Sequence, residues 1–126
     1  MLARMVEGPV PYLEVCMRGP VTEESMARVF EGVRVEIVRH QAKRVLVDGR
    51  EISVALTISD MYELAKTVGV SLAGTVDRFA LVLRQEDILS EKFFEPSVTH
   101  RGLPTLVTAD LDEAVFWITS KLRPPR

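Results

Sequence analysis

The chain has 126 residues, of which 47% are hydrophobic and 27% are charged, and its formal net charge is −2. This length suits one domain with one continuous core, and the composition excludes the disordered and fibrous classes. Because acidic and basic residues are interleaved, the sequence offers no broad basic surface, and we expect no nucleic-acid partner.

The single cysteine, Cys16, excludes an internal disulfide, and no cysteine–histidine cluster has the spacing of a zinc site. The segment from Met1 to Gly8 lacks the long apolar core of a signal peptide. No run approaches the roughly 20 apolar residues that span a bilayer. We therefore expect a cytoplasmic domain without a membrane span, a metal or another cofactor.

Two strands and a helix are predicted first. Leu2 to Val6 and Val10 to Arg18 have the two-residue period of strands, and prolines beside the second strand favour an antiparallel pair at a sheet edge. Thr22 is a good N-cap for a helix that runs to about His40. Its predicted buried stripe consists of Met26, Val29, Phe30, Val33 and Ile37.

A short apolar strand from Arg44 to Val47 follows, and we expect it to end at Asp48-Gly49. Thr57 then opens a second helix, for which Gly69 is the predicted stop. The predicted buried stripe of that helix consists of Ile58, Met61, Leu64, Ala65 and Val68. Phe79 to Leu83 (FALVL) is the clearest buried strand in the sequence.

The last third of the chain predicts three helical pieces and a strand. Ile88, Leu89, Phe93 and Phe94 indicate a helix, which Pro96 must kink or restart as the first turn of a second short piece ending at Gly102. Leu103 to Val107 predicts a strand. Asp110 caps a final helix with a buried stripe of Leu111, Ala114, Val115, Ile118 and Leu122.

This alternation of strands and helices predicts an α/β fold with right-handed crossovers. We expect a mixed, mainly parallel sheet of four to five strands flanked by helices. Phe79–Leu83 and Val45–Val47 should lie inside it, with the N-terminal hairpin at one edge. No repeat or linker interrupts the pattern, so we predict one domain over residues 1–122 and a C-terminal tail over residues 123–126.

Several segments together resemble SpoIIAA-like proteins, which are related to STAS domains, named for sulphate transporters and anti-sigma-factor antagonists. They are the VLVD and FALVL strands, Arg101-Gly102 before a strand, and the DEAVFWI segment from Asp112 to Ile118. The resemblance implies a mixed sheet flanked by helices and a role in protein–protein switching or in nucleotide or small-molecule sensing. SpoIIAA-like proteins are also similar in shape to the lipid-carrying CRAL-TRIO domains.

In anti-sigma-factor antagonists, the strand matching Val45–Val47 leads to an Asp-Ser-Ser/Thr-Gly motif, whose Ser or Thr is phosphorylated at a helix N-terminus. Residues 48–53 read Asp-Gly-Arg-Glu-Ile-Ser here, so this motif is absent. We predict a non-enzymatic regulatory or protein-interaction module. The alternative is a carrier or sensor of a lipid or other small apolar or anionic ligand, for which we expect a closed apolar cavity of roughly several hundred Å³.

No residue pattern indicates catalysis. His40 and His100 have no serine, cysteine or metal ligand at a telling spacing, and Cys16 alternates with apolar positions as a packing residue does. Asp48 suits a phosphorylated aspartate or a strand-closing turn, and the lack of a lysine after the later strands favours the turn. Four acidic residues in the predicted helical segment before Pro96 suit either a metal site or a solvated helix face. Their spread along the segment favours the solvated face. They are Glu86, Asp87, Glu91 and Glu95.

Polar residues that follow the predicted parallel strands should meet at one edge of the sheet, which we call the carboxyl edge. Three helix N-termini, opened by Thr22, Thr57 and Asp110, should lie beside it and favour an anion or an acidic partner. The residues of the carboxyl edge are Arg18, Asp48, Arg50, Arg84 and Asp87.

The aromatic residues suit either an apolar ligand cavity or the core, and the fit of most of them to the buried stripes favours the core. An exposed pair at Phe116 and Trp117 would indicate a surface for a partner. We expect the partner to be another protein or a small ligand, and a homodimer is compatible with the sequence. The other aromatic candidates for the cavity are Phe30, Phe79, Phe93 and Phe94.

Overall fold

The structure, a computed structural model, describes residues 1–87 and 94–121. Within these residues five strands form one sheet in the order β1-β2-β3-β4-β5. The strands are β1 (Leu2–Val6), β2 (Tyr12–Thr22), β3 (Arg44–Ala55), β4 (Arg78–Val82) and β5 (Thr105–Thr108). The helices are α1 (Glu23–His40), α2 (Ile58–Leu72), α3 (Phe94–Thr99) and α4 (Leu111–Thr119), with a 3₁₀ turn over Gln85–Asp87.

The sheet is mixed and mainly parallel. β1 is antiparallel to β2 and forms the edge of the sheet, whereas β2, β3, β4 and β5 run parallel to one another. Helices join successive parallel strands, as the alternation of the sequence predicted. The predicted fold class is confirmed, including the N-terminal edge hairpin and the interior positions of Val45–Val47 and of the FALVL strand.

Alternate side chains of the strands enter two separate cores. Val45 and Val47 pack with α1, α2 and α3 in the larger core, on what we call the helix-covered face of the sheet. Leu46, between them, packs in the smaller core with Ala114 and Ile118 of α4 on the opposite face. This two-residue alternation explains why a run that is apolar on both faces was the correct signature of a central strand.

The predicted end of β3 at Asp48-Gly49 is wrong, because the strand continues to Ala55. Gly49 does not turn the chain. A Cβ atom there would lie 3.1 Å from Ile52 Cδ1, 3.2 Å from Leu83 Cδ2 and 3.3 Å from the Val82 carbonyl oxygen, so this glycine permits close packing within the strand.

Beyond Asp48, β3 pairs with β2 alone. β4 ends at Val82, which pairs with Asp48, while β2 and β3 stay paired from Arg18↔Glu51 to Thr22↔Ala55. We call these two paired segments, residues 18–22 and 51–55, the β2–β3 extension. A register shift between Cys16 and Arg18 precedes it.

Other boundaries differ from the prediction for similar reasons. α2 passes Gly69 and ends at Leu72, because Gly69 makes room for the side chain of Arg101 rather than stopping the helix. Ile58, predicted to be buried, is 78% exposed at the first position of α2. α3 begins at Phe94 with Pro96 in its first turn, as predicted.

α4 ends at Thr119 with Ser120 as its C-cap. The predictions for Ile88, Leu89, Phe93 and Leu122, and the predicted tail over residues 123–126, lie outside the described residues.

Candidate functional site

The structure pairs each arginine of the carboxyl edge with a nearby acid. Arg18 lies 3.1 Å from Glu51 and Arg50 lies 2.8 Å from Asp48. Arg84 lies 3.2 Å from Asp87 and 3.5 Å from Glu86. These local ion pairs leave little net positive charge at the edge, and anion binding there stays a prediction.

Two of the three predicted helix N-termini lie beyond the level of Asp48, whereas α4 begins at Leu111, just after Thr108 at the end of β5. α1 and α2 begin only after the β2–β3 extension, at Glu23 and Ile58. Asp48 itself lies within β3, so the predicted turn is wrong. The hydrogen bond from the Arg50 side chain lowers the pKa of Asp48, which keeps this carboxylate charged and engaged.

Cys16 has none of the surroundings of a nucleophile. It lies beside Asp48 across the strand pair, and its Sγ atom is 4.0 Å from Glu14 Oε1. Burial first, and then the carboxylates of Glu14 and Asp48, raise the pKa of the Cys16 thiol. The thiol is therefore protonated at neutral pH, in the state that reacts slowly.

The most distinctive feature is an apolar cavity of about 100 Å³ between α1, α2 and the helix-covered face of the sheet. Every side chain that lines it within the described part of the chain is aliphatic, aromatic or a methionine. α1 contributes Met26, Val29, Phe30 and Val33, and the neighbouring strands and helices complete the wall. Among the aromatic residues singled out in the sequence, Phe30, Phe79 and Phe94 line this cavity.

The β2–β3 extension forms one wall of the apolar cavity. Ile52 and Val54 project into it, and Leu56 follows directly after the strand. Because β4 ends at Val82, β2 and β3 are the two strands that line the space beneath α1 and α2 at this level within the part of the chain that the structure describes. Sequence reasoning missed this wall, although the alternation in residues 51–56 (EISVAL) carried the signal of a half-buried strand.

Three methionines, Met17, Met26 and Met61, lie in the cavity wall. Methionine is unbranched and flexible, so such a wall adapts to occupants of different shape at low cost.

A second cavity of about 330 Å³ adjoins the first and shares Met17 and Val29 with it. It lies between α1 and the N-terminal hairpin, and we call it the arginine groove. Its other lining residues are Met1, Arg18, Ser25, Arg28 and Gly32.

No protein-family model and no curated protein matches the chain. Among solved structures, it is similar to an uncharacterised protein of the DUF3478 family with a SpoIIAA-like fold from Shewanella loihica PV-4. The TM-score is 0.60 at 15% sequence identity, over 93% of this chain and 92% of that one. This chain has a SpoIIAA-like fold. Because the sequence identity is only 15%, the similarity between the two proteins concerns their fold alone.

Within this SpoIIAA-like fold, residues 48–53 are part of a β-strand rather than the start of a helix. The aromatic residues of α4 differ from each other: Phe116 is 77% exposed, while Trp117 packs 5.4 Å from the guanidinium of Arg78.

Over residues 1–87 and 94–121, no helix has the length and apolar character to cross a membrane.

Proposed function

We propose that this SpoIIAA-like domain is a non-enzymatic regulatory module that binds a small apolar ligand in the apolar cavity. The observation that carries the proposal is the uniformly apolar wall between α1, α2 and the β2–β3 extension. Ligand sites in proteins are commonly apolar clefts of this kind. Of the two functions that the sequence suggested, the cavity therefore favours ligand binding.

Protein interiors are normally packed so densely that few voids are larger than a water molecule. The apolar space of about 100 Å³ is partly open to solvent, so its wall lacks packing contacts on one side and holds apolar surface against water, which is an energetic cost. Water does not recover this cost, because the wall offers it no polar partners. An apolar ligand recovers the lost contacts.

The volume also limits the ligand. The cavity is smaller than the several hundred Å³ expected for a lipid carrier, and an engineered cavity of roughly 150 Å³ is known to hold benzene. The ligand therefore places a small ring or a short alkyl segment in the cavity, with room for more as the methionines move.

The absence of catalysis belongs to the same proposal. Among residues 1–87 and 94–121, no titratable side chain lines the apolar cavity, and Cys16 lies on the opposite face of the sheet with a raised pKa. Within the described residues, no nucleophile therefore lies beside a general base at this site.

Calorimetric titration with 1-octanol tests the proposal with a matched pair of variants on α2. Leu64 lines the cavity, whereas Val70 on the same helix is 71% exposed. We expect one saturable site in the parent protein and in Val70→Phe, and no binding in Leu64→Phe, where the ring fills the space. Equal binding of 1-octanol by both variants, or no binding by the parent protein, would contradict the proposal.

A second candidate function is interaction with a protein through α4. Its observation is the exposed Phe116, since large exposed aromatics are enriched at protein interfaces. If the partner is a second copy of the chain, sedimentation velocity should show a concentration-dependent dimer that Phe116→Ser abolishes. A monomer at all concentrations would remove the homodimer.

A further inference from the structure

We infer that the apolar cavity and the arginine groove form one site for an amphipathic monoanion, a short- to medium-chain carboxylate. The alkyl chain would lie in the cavity and the carboxylate in the groove, beside Arg28 and Arg18. This inference rests on the proposed function and adds the chemistry of the ligand's polar end.

Continuity between the two cavities is the first argument. Met17 and Val29 line both, so the apolar space and the polar one are neighbours that share part of their walls. Both residues are half-buried and methionine is flexible, so the proposed ligand requires only that the Met17 side chain move aside to let the alkyl chain pass.

Charge in the groove is the second argument. Arg28 has no acidic partner within residues 1–87 and 94–121, although other arginines on the same helix do: Arg34 pairs with Glu31 and Arg39 with Glu36. Arg18 pairs with Glu51, but both side chains of that pair are largely exposed, at 79% and 66%.

The balance of these charges selects the headgroup. One unpaired guanidinium and one that is already half-neutralised suit a single negative charge better than a doubly charged phosphate. The planar carboxylate also matches the donor fork of arginine. Ser25 is not counted as a ligand, because its hydroxyl already bonds to Thr22 in the cap of α1.

Gly32 explains why the groove is open. It lies near the middle of α1 and lines the groove, where a glycine costs roughly 0.5–1 kcal/mol relative to alanine. A Cβ atom at this position would lie 3.0 Å from the end of the Met1 side chain. The missing side chain leaves room for a headgroup between the helix and the hairpin.

The test compares three probes with the same eight-carbon chain: octanoate, 1-octanol and octyltrimethylammonium. We expect octanoate to bind the parent protein about two- to fivefold more tightly than octanol, the scale of a partly solvated ion pair. The cationic probe should bind more weakly than octanol. Raising the salt to about 0.5 M should reduce octanoate's advantage, because the groove is exposed.

Two arginine variants of α1 locate the headgroup. Arg28→Gln should remove the advantage of octanoate and leave octanol binding unchanged. The control, Arg34→Gln, lies outside the groove and should preserve both affinities. Gly32→Leu, which fills the groove without entering the cavity, should act like Arg28→Gln.

The outcomes separate the two proposals. Octanol binding without any preference for octanoate, or a preference that survives Arg28→Gln, would overturn this inference and leave the proposed function standing. No binding of any probe would overturn both. Binding to phosphatidylglycerol vesicles without binding of free octanoate would place the anion in a membrane surface and also overturn the inference.

Discussion

Cys16 lies on the face of the sheet opposite the apolar cavity, between the carboxylates of Glu14 and Asp48. Burial and these two charges raise the pKa of its thiol. Alkylation requires the thiolate, so the reaction with iodoacetamide should be slow at pH 7 and accelerate only above the pH at which an unfolded cysteine, with a pKa of about 8.5, ionises.

The rate of alkylation measured against pH, in buffer and in urea, checks this prediction. The folded protein should show the higher midpoint. Glu14→Gln should lower that midpoint, because one of the two carboxylates is removed. A folded midpoint at or below the unfolded one would contradict the placement of Cys16.

Gly69 provides a second prediction at this scale. A Cβ atom there would lie 2.7 Å from Arg101 Cβ, and the Arg101 guanidinium lies 5.4 Å from the ring of Tyr62. Gly69→Ala should therefore destabilise the protein by about 1–3 kcal/mol despite the better helix propensity of alanine.

Urea unfolding measures this cost, and Val70→Ala on the exposed side of α2 is the control, with an expected change within about 0.5 kcal/mol. A Gly69→Ala protein as stable as the parent would mean that α2 and Arg101 are not in contact.

These glycines also show where interpretation of the sequence fails. Local sequence predicts that Gly49 and Gly69 end a strand and a helix, yet both lie inside their elements, where a side chain or backbone from elsewhere approaches. Local sequence does not show which residue from elsewhere in the chain packs against a glycine, and that contact is what makes the glycine necessary.

At the scale of elements, the two cores give different expectations for similar substitutions. Ile118 of α4 is fully buried in the smaller core, so Ile118→Ala should cost about 2–5 kcal/mol. Phe30 of α1 is half-buried and lines the apolar cavity, so Phe30→Ala should cost less, because less buried apolar area is lost.

Urea unfolding of both variants gives the comparison. Addition of 1-octanol should recover part of the loss in Phe30→Ala and none in Ile118→Ala. A larger loss for Phe30→Ala, or no recovery by octanol, would contradict the position of the cavity.

The boundaries of the elements were predictable where the signal is local. Thr22 and Thr57 cap α1 and α2 as expected. In each cap, the threonine hydroxyl accepts a hydrogen bond from the backbone N–H three residues later, and the side chain of that later residue accepts one from the threonine N–H. The β2–β3 extension was not predicted, since its pairing continues past a dipeptide that usually closes strands.

For the whole molecule, the order of the elements was sufficient to predict a SpoIIAA-like sheet, and the comparison with a solved structure confirms that fold. The candidate site was predicted less well. The prediction of the carboxyl edge rests on the assumption that the parallel strands all end, and the helices all begin, next to Asp48. In the structure, the β2–β3 extension places the starts of α1 and α2 beyond Asp48. The extension forms one wall of an apolar cavity instead.

Phe30, Phe79 and Phe94 all line that cavity, although their pattern in the sequence favours simple packing in the core. Which of the apolar residues leave a space between them depends on how helices pack on a sheet, and no local pattern carries that information.

The central claim is that the apolar cavity binds a small apolar ligand, and methyl NMR during titration with 1-octanol tests it most directly. We predict saturable shifts of the methyl groups that line the cavity, such as those of Val29, Val33 and Leu64, with the smaller core at Leu46 and Ile118 nearly unaffected. Shifts confined to α4 and the smaller core, or no saturable shift at all, would contradict the claim.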